Sequence, residues 1–285
     1  MDEMVHLTYI KDDPELYIKE RPFSILAELP EGFPETNITY ELGPLQVITD
    51  IRGWQNEFNL EEHGFAFRTW QPPAVVWDDE EDIDESYVPA VKELVREMIG
   101  EDVVRIELFD WRLRNSQSRM VIDDPNSESS PQMVKIAPAR VVHVDQSPAG
   151  VFDRMHRYLG EEADVLARKY RIRLINVWKP MVDVVEDMPL ALCDARVATE
   201  QDLVEVDFVL EDYNRRTYMA KYTDRFKFYY MSRMTKDEVI MFKVFDSADV
   251  AAKYVPHAAF SHTHIPPSTK PRESIEVRLL VMTEE

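Results

Sequence analysis

A histidine and an aspartate one residue apart, His143-Val144-Asp145, lie in the β-branched run RVVHVD at 140–145. Side chains at i and i+2 of a strand leave the same face, so an imidazole and a carboxylate would project together while Val142 and Val144 pack on the other side. That is two-thirds of a facial triad for a divalent metal such as non-haem iron. The third ligand has to be a distant histidine, one of 7 in the chain. His257 is favoured: it follows Tyr254-Val255-Pro256 and precedes Ala258-Ala259-Phe260, a small apolar setting suited to a neutral, oriented imidazole. His262 and His264, an H-x-H pair in the proline-rich HTHIPPSTKP, are the alternative. Further on, Arg272-Glu273-Ser274 would put a guanidinium and a hydroxyl on one strand face, where they can grip a carboxylate as a fork plus one hydrogen bond. Arg278 stands at an even spacing from Arg272, shares that face, and is the rival. Each pattern alone is common on protein surfaces. Their order, H-x-D, distal histidine, R-x-S, makes them a set.

Strands have to position these groups. Residues 171–178, 203–210, 217–222, 226–231, 239–245 and 274–282 read as strands, and VIMFKVF at 239–245 is nearly continuous apolar sequence, as in a strand buried on both faces. Leu45 to Ile51 and residues 104–109 add two more. Helices are expected from Ala90 to Met98, stopped by Gly100; after Ser147-Pro148, through Phe152, Met155 and Leu159; and from Glu161 to Tyr170. The charge run DDEEDIDE, 78–85, reads as a solvated loop, and residues 115–133 as a long flap near a site. Many short strands with few helices predict a mainly β chain with flanking helices: a double-stranded β-helix, the cupin-like jelly-roll barrel. Residues 1–285 read as one domain, with 1–100 supplying N-terminal strands and a helix beside the barrel and 101–285 the jelly-roll core with the metal site.

Bulk properties exclude other classes. Only 7 glycines and the lack of a G-x-G-x-x-G or G-K-[ST] motif argue against a Rossmann or P-loop enzyme. A formal net charge of −21 repels phosphate backbones and anionic lipid, so no nucleic acid or membrane partner is expected. Cys193 is the single cysteine, the opening MDEMVHLTYIKDDPE has no signal-peptide pattern, and no apolar run is long enough to span a bilayer. The expected location is the cytoplasm, with a homodimer as the candidate assembly.

The ordered motifs, with DIRGWQNEFNLEEHGFAF (50–67), RVVHVDQSP (140–148), FYYMSRMTKDEVIMFKVFDS (228–247) and PRESIEVR (271–278), resemble the Fe(II)/2-oxoglutarate-dependent oxygenases over roughly residues 45–282. The likeness is to a fungal and bacterial branch containing gibberellin desaturase, hydroxylase/desaturases of secondary metabolism, aziridine-forming oxygenases and the small subunit of the cephamycin methoxylase system. The resemblance implies Fe(II) on His143, Asp145 and His257, 2-oxoglutarate as co-substrate with O₂, and Arg272 and Ser274 on its distal carboxylate. Asn176 is expected to touch the co-substrate. Trp178, Tyr222, Tyr230 and Arg173 are the candidates for contacting a small-molecule substrate, which would be hydroxylated, desaturated or oxidatively cyclised. Two other readings are a non-catalytic helper subunit of a methoxylase/methyltransferase-type partner and a jelly-roll dioxygenase without 2-oxoglutarate.

Overall fold

The computed structural model describes residues 1–29, 32–100, 102–118, 131–265 and 268–284. Within them the strands, in chain order, are β1 (Glu3–Ile10), β2 (Phe23–Ile25), β3 (Tyr40–Asp50), β4 (Phe65–Thr69), β5 (Val103–Asn115), β6 (His143–Val144), β7 (Arg171–Pro180), β8 (Leu190–Cys193), β9 (Leu203–Val209), β10 (Asn214–Ala220), β11 (Phe228–Tyr230), β12 (Glu238–Asp246), β13 (His257–Ala259) and β14 (Glu273–Thr283). One sheet runs β1-β3-β11-β8-β13-β6-β10-β9-β2, and the other β4-β12-β7-β14-β5. Rings from the two sheets meet between them: Phe242 of β12 lies 4.7 Å from the His257 ring of β13, centroid to centroid. This is the expected double-stranded β-helix. The strands of residues 1–100 join both sheets rather than standing apart.

The smaller sheet is buried on both faces. On β7, β12 and β14, Ile175, Val177, Met241, Val277 and Leu279 belong to the same apolar cluster as Val91, Leu94 and Val95 of a covering helix. Alternate residues, Leu174, Trp178, Phe242 and Leu280, belong to the apolar cluster between the sheets. A two-faced burial demands the near-continuous apolar runs read in 171–178, 239–245 and 274–282.

The helices are α1 (Pro14–Lys19), α2 (Glu80–Asp82), α3 (Val88–Ile99), α4 (Pro148–Leu159) and α5 (Glu162–Lys169). The expectation of a loop at 78–85 is corrected. Asp79 caps α2, a π-helical turn spans Ile83–Tyr87, and α3 follows directly. The acids mislead because they face solvent, while Ile83 and Tyr87 are fully buried beneath them. Pro89 has no N–H to give, and the widened turn falls just before it, where a missing i→i−4 bond is tolerated. Gly100 ends α3 at φ 107°, a conformation that favours glycine.

Other segments depart from expectation. β8 and β13 are too short to carry an alternation and lie outside the residues read as strands, whereas β1, with Val5, Leu7 and Tyr9 buried, belongs to the N-terminal strands expected of residues 1–100. β5 runs on to Asn115, into the segment expected to be a loop, because it pairs with β14 along its whole length. Of the expected flap at 115–133, residues 119–130 lie outside the described residues. Among the described residues no helix is long and apolar enough to cross a membrane.

Candidate metal centre and adjoining cleft

β6 is only two residues long, flanked by β10 and β13. In that register His143 lies directly opposite His257, and the two imidazole centroids are 4.4 Å apart. Asp145 follows immediately. Ser147 then caps α4, accepting from the Gly150 N–H at 3.1 Å, with Pro148 in the first turn. The chain therefore turns away from the sheet straight after the carboxylate. His143, Asp145 and His257 are buried, and one potential ligand atom from each lies within 4.8 Å of the others.

The tautomers suit a cation. His143 Nδ1 is 2.8 Å from the Val141 carbonyl and His257 Nδ1 is 2.9 Å from the Val255 carbonyl, so each Nδ1 is the protonated donor and each Nε2 lone pair is left over. His143 Nε2 is buried with no hydrogen-bond partner. His143 Nε2 lies 3.4 Å from one Asp145 oxygen and His257 Nε2 3.9 Å from the other. Burial pushes the His257 imidazole down to about 3, with the His143 ring adding to the effect. Burial alone would raise the Asp145 carboxyl, but Arg278 and the two imidazoles hold it well below its ordinary range. An anionic carboxylate beside a neutral imidazole, with Nε2 atoms turned towards it, is the donor set a divalent metal takes. The residues fit Fe(II).

A narrow cleft opens beside the histidines, lined by His143, His257, Trp178, Arg272, Arg114 and Glu276, among others. Arg272 precedes β14 and Ser274 is its second residue, and both are buried on the inner face. The Arg272 guanidinium donates to the Met188 carbonyl at 2.7 Å and lies 5.4 Å from the Trp178 ring centroid. Its Nε and the Ser274 hydroxyl have no partner. Burial, with Arg114 alongside, pushes this guanidinium down to about 9. A buried cation lining the same cleft as two imidazoles, with a partnerless hydroxyl two residues further along the strand, has the chemistry to receive a carboxylate.

Arg278 is engaged differently. It lies 3.3 Å from Asp110, 2.8 Å from Glu276 and 3.5 Å from Asp145. Asn176, paired opposite Arg278 on β7, donates from its amide to Asp145. Both therefore act on the carboxylate of the triad rather than on the cleft.

The candidate substrate contacts are dispersed. Trp178 lines the cleft. The expectation for Arg173 is corrected: it lies on the opposite face of β7 from Leu174, Asn176 and Trp178, donating to Glu61 at 2.8 Å and Thr283 at 3.1 Å. Tyr222 follows β10 and packs edge-on against Tyr9, 5.6 Å away, beside a different groove. Tyr230 donates its hydroxyl to the Met1 carbonyl at 2.7 Å. Neither tyrosine lines the cleft. His262 lies 2.9 Å from Glu3 and His264 is exposed, so the H-x-H pair is separate from the triad.

Several participants escaped sequence reading. Asp110 pairs with Arg154 of α4 at 2.8 Å and with Arg278, linking α4 to the triad. Thr217 donates to the Asp145 carbonyl at 3.0 Å. The available signal was D-W-R-L-R at 110–114, where charged and apolar residues alternate.

A jelly-roll barrel with two histidines and a carboxylate beside a buried arginine defines the mononuclear non-haem iron oxygenase class. Comparisons with known proteins agree. The family model described as "Oxidoreductase/YMDC permease-like domain" matches residues 7–282. The chain is 32% identical over 257 residues to the Fe(II)/2-oxoglutarate-dependent dioxygenase nvfI of Aspergillus novofumigatus, covering 87% of this chain and 86% of that one. It is 30% identical over 282 residues to the hydroxylase/desaturase efuI of Hormonema carpetanum, covering 94% of each. The solved structure of the iron and alpha-ketoglutarate-dependent endoperoxidase NvfI superposes with a TM-score of 0.80 at 27% identity, over 100% of this chain and 98% of that one. The chain belongs to the Fe(II)/2-oxoglutarate-dependent oxygenases.

Proposed function

We propose that this oxygenase holds one Fe(II) through His143 Nε2, an Asp145 oxygen and His257 Nε2, seats the distal carboxylate of 2-oxoglutarate on Arg272 and Ser274, and oxidises a small secondary metabolite. The observation that carries the reading is the shared cleft. The unpartnered Nε2 of His143 and the guanidinium of Arg272 line one narrow space, with the partnerless Ser274 hydroxyl two residues further along the strand. Iron with 2-oxoglutarate and O₂ supplies an oxidant strong enough for unactivated C–H bonds. The protein supplies position and dryness. Asn176 and Arg278 fix the Asp145 carboxylate, the backbone carbonyls of Val141 and Val255 fix the imidazoles, and the Trp178 ring lies beside the arginine.

Names carried by the relatives, hydroxylase/desaturase and endoperoxidase, support hydroxylation, desaturation or oxidative cyclisation as the reaction type. The chain is read as a single oxygenase domain over residues 1–285, acting in the cytoplasm on a small molecule, alone or as a homodimer, without nucleic acid; the net charge of −21 supports the last point. The test is succinate release by the purified chain with Fe(II), ascorbate and 2-oxoglutarate. Iron-dependent succinate is expected; its complete absence, with iron bound, would favour a helper subunit.

A further inference from the structure

One face of β5 near its C-terminal end is charged. Asp110, Arg112 and Arg114 lie directly opposite Arg278, Glu276 and Ser274 of β14. Partners across an antiparallel pair share a face, so the Arg114 and Ser274 side chains leave the sheet together. Arg114 is buried and lines the cleft with Arg272, His143 and His257. Its guanidinium donates to the Ala137 carbonyl at 2.8 Å, much as Arg272 donates to Met188 at 2.7 Å. A neutral carbonyl fixes a guanidinium in place without cancelling its charge.

Two buried cations therefore line one narrow space. Burial first, and then the Arg114 charge, push the Arg272 guanidinium down to about 9, so the two are near enough to repel. Glu276, the one acid among the described lining residues, is held by Arg278 at 2.8 Å. Burying like charges together is costly, and a guest of the opposite sign relieves that cost. Strand position indicates which end of the guest they meet. Arg278 lies 3.5 Å from Asp145. Ser274 is four residues from Arg278 on β14, about 13 Å at roughly 3.3 Å per residue. Arg114 is level with Ser274, at the end of the cleft away from the carboxylate of the triad. A carboxylate offers about four lone-pair directions. An Arg272 fork takes two and the Ser274 hydroxyl one, which leaves one for a donor from the neighbouring strand.

Resting on the oxygenase reading above, we infer that Arg114 is a second guanidinium on the distal carboxylate of 2-oxoglutarate, reaching it from β5, and that it makes the enzyme selective for oxo acids with a charged tail. An anion between the two guanidiniums offsets their repulsion. An uncharged tail leaves that repulsion standing and displaces the water that screened it, so the pair of arginines discriminates more sharply than one would.

The test is anaerobic titration of the full chain, loaded with Fe(II), following the visible charge-transfer band. The ligands are 2-oxoglutarate and 2-oxopentanoate, which has the same carbon chain with a methyl group in place of the distal carboxylate. Arg114→Met should weaken 2-oxoglutarate by about 10- to 100-fold, the scale of one charge-assisted hydrogen bond. It should move 2-oxopentanoate by less than about twofold and leave iron affinity, read by chelator competition, unchanged. Arg114→Lys, with the charge but not the fork, should fall between wild type and Arg114→Met; if the methionine variant does not fold, the lysine variant carries the same comparison. An unchanged dissociation constant for 2-oxoglutarate, an equal loss for both acids, or a loss of iron overturns the inference, since a merely structural arginine would not tell the two tails apart. If 2-oxopentanoate gives no band with wild type, Arg114→Lys decides: partial recovery over Arg114→Met supports the contact, and none overturns it. Arg272→Met, titrated alongside, separates the failures. With Arg272→Met weakened and Arg114→Met unchanged, only the role of Arg114 is wrong; with no band from wild type and 2-oxoglutarate, the oxygenase site itself is wrong.

Discussion

Replacing Arg272 with methionine should weaken 2-oxoglutarate far more than iron. The guanidinium is 1% exposed, its hydrogen bond to Met188 is to a neutral carbonyl, and among the described residues it forms no ion pair. A carboxylate arriving there would gain a fork of two charge-assisted bonds, each worth about 1.5–3 kcal/mol. Part of that gain relieves a cost already present, because burial disfavours the unpaired cation and pushes it down to about 9. Methionine removes the cost together with the partner. The net loss should therefore be about 2–5 kcal/mol, or roughly 30-fold to several thousand-fold in affinity. Arg272→Lys, keeping the charge without the fork, should recover part of it. The assay is anaerobic titration of 2-oxoglutarate into Fe(II) protein, following the charge-transfer band. If Arg272→Met leaves the dissociation constant unchanged while Arg278→Met raises it with iron still bound, the anchor is Arg278 and the reasoning fails.

Three further outcomes follow from the same geometry. His143→Ala, Asp145→Ala and His257→Ala should each lose bound iron and succinate release, with Asp145→Ala the most damaging because it removes the only anionic donor; full activity in His257→Ala would move the third ligand to His262 or His264. Asn176→Leu, which leaves Asp145 without its amide donor, should cost about 10- to 100-fold in iron affinity, read by competition with a chelator; unchanged affinity would remove Asn176 from the site. Asp110→Asn should destabilise the fold by about 3–5 kcal/mol in urea, because it strips a buried carboxylate from Arg154 and Arg278. Burial alone would raise the Asp110 carboxyl, but those arginines and Arg112 hold it far below its ordinary range. Its contribution is thus complete above the unfolded value of about 4 and is lost as pH falls through and below it, so the wild-type urea midpoint should drop more steeply between about pH 5 and 3 than that of the variant.

What the sequence disclosed was the part governed by strand periodicity. His143 and Asp145 share a face because of their spacing, and the runs in β7, β12 and β14 announced burial on both sides. Hidden were the consequences of an interior that is itself polar. Asp110, Arg112 and Arg114 alternate with Trp111 and Leu113, which reads as a half-exposed strand with its charges in water. In the fold the apolar face lies in the cluster beneath α3 and the charged face turns inward, onto α4 and β14. Arg173 failed for the complementary reason: its type suggested a substrate contact, but its odd register on β7 points it outward. Tyr222 and Tyr230 carried no pattern that distinguishes an interior ring from one packed elsewhere. β8 and β13 are short and exist through pairing with distant partners, which no local window detects.

The most direct test of the central claim is an iron-edge anomalous difference map from crystals of the chain loaded with Fe(II) under nitrogen. A single strong peak is predicted within bonding distance of His143 Nε2, an Asp145 oxygen and His257 Nε2, with Arg272 across the adjoining cleft. No peak there in iron-containing crystals, or a peak at His262 and His264 instead, would contradict the account.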